Sequence, residues 1–226
     1  MEGVAARDRT GRGGRVSGLG SLRRISAPKP APPAAEERCE FCAAGIGERH
    51  GHVADVDQHR LLCVCRPCYL LFAPQGAGGG RYRGVGEEVR RVADLVLDDV
   101  RWDALRIPVD VAFFFEQTGA EQTLAFYPGP AGATESLLDL AAWVDVVREN
   151  PVLGRLRTDV EGALLRRQDG AFSCHLVPID VCYELVGIVR RSWTGLGGGP
   201  EVWRDIDAWF AALEARAAPI ARDGAR

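Results

Sequence analysis

Apolar residues near the end of the chain recur at three- and four-residue steps: Val202, Trp203, Ile206, Trp209, Phe210 and Leu213. That rhythm lines one face of a helix, and Pro200, after the run Gly195–Gly199, suits a first helical position. Val181, Cys182, Leu185, Val186, Ile188 and Val189 repeat the pattern behind Asp180, which can cap a helix. Val89, Val92, Ala93, Val96, Leu97 and Val100 predict a helix over 86–104. Leu137, Leu138, Ala141, Val144 and Val147 predict another, capped by Thr134 and stopped before Pro151.

Other stretches have the texture of strands. Val109–Gln117 is β-branched and aromatic, Thr118-Gly119-Ala120 turns, and Gln122–Tyr127 returns. Asp159–Arg167, the turn Gln168-Asp169-Gly170 and Ala171–Pro178 make a second hairpin. The order hairpin–helix, hairpin–helix predicts an α+β domain over 86–218, with antiparallel strands and helices on one face. Residues 1–36 carry no such pattern. They are rich in Gly, Arg, Pro and Ala and cannot bury enough apolar surface to offset their ordering entropy, so a disordered tail is expected. The end, 219–226, is expected to be disordered as well. Gly76–Gly80 reads as a flexible hinge within 76–85, which would separate the α+β domain from a cysteine-rich module at 37–75.

At 226 residues, 46% hydrophobic and 26% charged, the chain can bury a sizeable core. Its net charge of −3 is unevenly spread. Arg7, Arg9, Arg12, Arg15, Arg23, Arg24 and Lys29 against Glu2, Asp8 and Glu36 give the first 36 residues +4, leaving −7 on the rest. That balance speaks against a general nucleic-acid binder. No apolar run approaches the roughly 18–20 residues that span a bilayer, so no membrane association is expected. Seven cysteines, an odd number clustered at metal-ligand spacing, point to a reducing compartment and a cytoplasmic location.

The candidate chemistry lies in two CxxC pairs, Cys39-Glu40-Phe41-Cys42 and Cys65-Arg66-Pro67-Cys68, with 22 residues between them. Two such turns can each present two thiolates to one ion, as in zinc ribbons and knuckles. Cys39, Cys42, Cys65 and Cys68 are therefore the expected metal ligands, with zinc the expected ion. Iron is the alternative, because a rubredoxin-like electron carrier uses the same tetrathiolate geometry. Cys63, His50, His52 or His59 could each replace a member of the tetrad; otherwise His50-Gly51-His52 reads as an exposed loop and Cys63 as a small buried hydrophobe. A nuclease of the His-Asn-His type also carries CxxC pairs, but Cys68 is followed by Tyr69 and the module holds no Asn.

Weaker groupings remain. Cys174-His175 with Cys182 could form a second metal or redox site, though their apolar neighbours favour core packing. Gly195–Gly199 could cradle an anion but lacks the strand–turn–helix context of a nucleotide fingerprint. Phe126–Ser136 reads as a loop in which Thr134, Glu135 and Ser136 meet at a helix N-terminus, and an enzyme of unknown substrate would have its pocket there. No catalytic or cofactor-binding residues stand out.

Four stretches resemble the uncharacterised actinobacterial DUF5947 family: Arg38–Cys42, Leu61–Cys68, Phe126–Ser136, and Pro178–Arg190 with its Tyr183-Glu184-Leu185-Val186-Gly187 core. The resemblance covers about residues 37–216. Members of that family lie beside genes for nickel-iron hydrogenases and their maturation factors. The resemblance therefore implies a non-enzymatic accessory protein whose partner is a hydrogenase subunit or maturation factor.

Overall fold

The computed structural model describes residues 37–136, 140–195 and 198–224, with the side chain of Leu140 left aside. From Glu37 onward the chain forms one compact unit. The expected disordered tail at 1–36, and Leu137 and Leu138 of the expected helix, lie outside the described residues.

The architecture is α+β. Among the described residues, strands β1 (Gly51–Asp55), β2 (Arg60–Val64) and β3 (Tyr82–Gly84) form a small antiparallel sheet in the order β2-β1-β3. A seven-stranded sheet is built from β4 (Arg90–Val92), β5 (Val111–Phe115), β6 (Leu124–Gly129), β7 (Gly132–Ser136), β8 (Glu161–Gln168), β9 (Ala171–Pro178) and β10 (Ala218–Ile220). Its order is β10-β4-β9-β8-β5-β6-β7, antiparallel except where β10 runs parallel to β4.

The helices are α1 (Arg66–Phe72), α2 (Asp99–Ala104), α3 (Leu140–Glu149), α4 (Ile179–Ser192) and α5 (Gly199–Arg216). They cover both faces of the large sheet rather than one. β5 shows why: all five of its residues are buried. Val111, Phe113 and Phe115 pack with residues of α4 and α5, including Leu185 and Phe210. Ala112 and Phe114 point the other way, toward Trp102 of α2 and Trp143 of α3. Strand side chains alternate between faces, so a strand apolar at every position needs cover on both sides. Phe114 and Trp143 stack nearly parallel with centroids 4.1 Å apart.

The 86–104 helix is not formed. Arg90–Val92 is a strand paired with β9, and only Asp99–Ala104 is helical. Val89 and Val92 do stand three apart, but they serve opposite cores. Pairing with β9 outweighs the local helical spacing, and Arg90 also meets the buried Glu161.

Thr134 caps no helix, because it lies in β7 opposite Tyr127. The Gly-rich segment makes a 3-10 turn at Ala77–Gly80 and passes directly into β3. Residues 219–224, expected to be disordered, are instead held in place: Ile220 is buried in β10, Val152 N donates to Arg222 O, and Arg222 N donates to Asp94 Oδ1, while Ala225 and Arg226 lie outside the described residues. A buried apolar residue beside a free strand edge is enough to hold the segment.

Candidate metal centre

The small sheet has two working faces. In the β1–β2 register, Val53 opposes Leu62 and Gly51 opposes Val64, and these apolar residues join Cys39 and Cys68 in the module's own core. The alternate pairs, His52 with Cys63 and Ala54 with Leu61, face the other way, and Ala54 and Leu61 pack into the core shared with α4 and α5. Gly51 lacks a side chain where one would collide, since a Cβ there would lie 2.8 Å from the Tyr69 ring. That ring's hydroxyl donates to Val85 O at 3.0 Å.

The first CxxC pair sits in a tight turn. Cys39 N donates to Ala44 O, Ala43 N donates to Cys39 O, and Ala43 takes a left-handed φ of 60°. Glu40 fastens this turn to β2: its N donates to Cys63 O, and its carboxylate accepts from Cys63 N and from Arg60. In the second pair, Cys65 is the extended residue before α1, and Cys68 lies in the first turn behind Pro67. Proline loses nothing there, because the first helical N–H groups have no intrahelical acceptor. Phe41, Phe72 and Tyr82 close the module from outside, with Phe41 and Phe72 centroids 4.2 Å apart.

The structure brings together all four cysteines expected from the spacing. The sulfurs of Cys39, Cys42, Cys65 and Cys68 lie within 4.8 Å of one another. Cys42 Sγ is 3.6 Å from Cys65 Sγ, and all four are free thiols. Bonds of about 2.3 Å to a tetrahedral zinc place neighbouring sulfurs roughly 3.7–3.8 Å apart, whereas a disulfide needs about 2.05 Å. The cluster can hold a metal ion.

Its electrostatics fit that role. Burial raises Cys39, but backbone N–H groups of Cys65, Cys42 and Phe41 outweigh it and bring the thiol down to about 6. Burial and the three neighbouring sulfurs push Cys68 up to about 12. At Cys42 a backbone hydrogen bond at Ala44 lowers the thiol, but Cys39 and Cys65 carry the balance upward. One thiolate forms readily and makes the others harder to form. A divalent cation removes that conflict by ionising all four together.

The other candidates fall elsewhere. Cys63 does not join the tetrad; its thiol groups with His50 and His52, the three ligand atoms lying within 4.8 Å of one another. Burial, with the Glu40 and Glu37 carboxylates nearby, raises that thiol. His50-Gly51-His52 is not an exposed loop but the partly buried entry to β1. His59 is exposed, in the β1–β2 turn. Asp180 was expected as a helix cap. It does not take that place: α4 begins at Ile179 with Pro178 at the cap position and no capping side chain, so Asp180 lies within the first turn. There its carboxylate accepts from Val181 N and meets His52 Nδ1 at 2.7 Å, a contact across 128 positions that no local pattern announces.

Cys174 and His175 are adjacent on β9 and serve opposite cores, so the Cys174–His175–Cys182 grouping does not assemble. Phe126–Ser136 is no loop: β6 and β7 pair through Gly129 and Gly132. Of Gly195–Gly199, Leu196 and Gly197 lie outside the described residues.

Fold and site together define a mixed α+β protein with a four-cysteine cluster able to hold a metal ion, and no described helix is long and apolar enough to cross a membrane. The sequence matches the Family of unknown function (DUF5947) over residues 38–217, and the chain belongs to that family. Comparisons with curated proteins and with solved structures give no match.

Proposed function

We propose that this chain is a metal-binding accessory protein in which Cys39, Cys42, Cys65 and Cys68 hold one zinc ion as a structural centre. The observation that carries this reading is the convergence of four sulfurs on one point. Four thiolates fill a tetrahedron and leave no position for substrate, which is the signature of a structural site. The action is then exerted through protein contacts. Beside Cys68 on α1, Leu70 and Leu71 are 56% and 70% exposed, an apolar pair turned away from the module's core. The partner is a nickel-iron hydrogenase subunit or maturation factor, which rests on the family resemblance alone.

The test combines elemental analysis of the purified protein with co-purification. One zinc per chain is expected, and a visible ferric-thiolate spectrum would reject zinc for iron. Hydrogenase components should co-purify with the wild type and be lost from a Leu70→Ser/Leu71→Ser double variant that keeps its metal. Hydrogenase assembly that proceeds unchanged in cells lacking this protein would overturn the accessory role.

A further inference from the structure

We infer that His50, His52 and Cys63 form a second metal site, separate from the tetrathiolate, which binds a zinc-class divalent ion with one coordination position open. The three residues come from one face of the small sheet. His50 and His52 stand two apart, and His52 lies directly opposite Cys63 in the β1–β2 register. Their ligand atoms already lie within 4.8 Å of one another.

The tautomers are set for it. Gly47 O can only accept, so His50 Nδ1, 2.8 Å away, carries the proton and Nε2 is left with a bare lone pair. That Nε2 is buried and has no hydrogen-bond partner. A buried acceptor without a partner is costly, and a cation would satisfy it. His52 repeats the arrangement: Asp180 Oδ2 lies 2.7 Å from its Nδ1, which again frees Nε2. A carbonyl or carboxylate holding the outer nitrogen of each imidazole is the support that metal-bound histidines ordinarily have. Cys63 is held from behind, where its N donates to Glu40 Oε2 at 2.7 Å and its O accepts from Glu40 N.

The ligand set also says what the site can do. Two imidazoles and one thiolate suit zinc and its neighbours better than magnesium or calcium. Three protein ligands leave a fourth position for water or a substrate donor, as in catalytic zinc sites. All three residues line a cavity of about 1120 Å³ that Tyr183 and Glu184 of α4 also line. The cavity is large enough for a small organic ligand to reach the ion.

Cobalt(II) titration of the metal-free full-length protein, read by visible absorption and metal analysis, tests this. The wild type should take up two equivalents. His50→Ala and Cys63→Ser should each take up one and keep the full tetrathiolate charge-transfer band. Asp180→Asn, which removes no ligand, should weaken uptake of the second equivalent about 10- to 100-fold. Added azide should shift only the bands that Cys63→Ser lacks. A single equivalent in the wild type, or loss of tetrathiolate intensity in Cys63→Ser, would overturn the site; an azide-silent spectrum would overturn its open position. Cys65→Ser empties the tetrathiolate and leaves the second site, so failure of either assignment can be told from failure of the other.

Discussion

Arg81 grips Asp55 at two points, Nε to Oδ1 at 2.9 Å and Nη2 to Oδ2 at 2.6 Å. This contact ties the residue after the glycine-rich turn to the last residue of β1, with the Asp55 side chain only 1% exposed. The Arg81 hydrogen bonds hold the Asp55 carboxyl below the usual carboxylate range against the opposing effect of burial. A carboxylate depressed in the folded state stabilises above its unfolded pKa, about 3.9, and that stability is lost as pH falls through the lower folded value.

Asp55→Asn should therefore lower stability at pH 7 by about 1–3 kcal/mol, between the values for surface and buried pairs because Arg81 is partly exposed. The difference from wild type should shrink as pH drops below about 4. Urea midpoints at both pH values measure it, and equal midpoints at pH 7 would refute the assignment.

Asn150 is fully buried and bridges two segments: its Nδ2 donates to Val96 O and Val146 O, and its Oδ1 accepts from Val96 N. Asn150→Ala should cost about 2–4 kcal/mol, since several buried partners are left unmet. Asn150→Asp should cost more, because a carboxylate oxygen would face two carbonyls. Thermal denaturation of the two variants should rank them in that order.

Metal removal should be felt beyond the cysteine module. The five tryptophans, Trp102, Trp143, Trp193, Trp203 and Trp209, all lie outside it and report on the larger sheet and its helices. Ala54 and Leu61 of the small sheet share that larger core, and Arg83 pairs with Asp159. Chelation, or Cys65→Ser, should shift the tryptophan-detected unfolding midpoint downward along with the metal loss. A midpoint insensitive to chelator would show that the two parts unfold independently.

His175 supplies an acid limit. Burial lowers its pKa from the ordinary histidine value, more than the Glu214 carboxylate 2.6 Å from Nε2 raises it. The unfolded chain then takes up the proton first as pH falls, so stability is full above about 6.5 and declines below it. His175→Gln should flatten the stability profile between pH 7 and 5 relative to wild type. An unchanged slope in that variant would place the acid sensitivity elsewhere.

Long periodic segments were legible in the sequence, and paired ones less so. Helices α4 and α5 and the β8–β9 hairpin follow directly from apolar spacing and from the Asp169-Gly170 turn. The four clustered cysteines are likewise readable, because two CxxC turns carry their geometry locally. Arg90–Val92 was not, since its strand identity comes from β9, more than 80 residues away. Pro219 and Ile220 join the sheet for the same reason, through a parallel edge that no local signal marks. The His50–His52–Cys63 grouping needed the β1–β2 register, which depends on where the turn at 56–59 falls.

That register has a consequence for how members of this family can diverge. Inserting or deleting one residue at the start of β2, at 60–61, would exchange the side chains that follow between the two faces, sending Cys63 among the cysteine module's apolar residues and Leu62 toward the cavity. Length changes should therefore be rare there and collect instead in the exposed 57–59 turn. A relative that keeps both CxxC pairs but changes length within β2, so that no thiol stands opposite His52, should also lack the histidines at the entry to β1, because without their cross-strand thiol they have nothing to hold together.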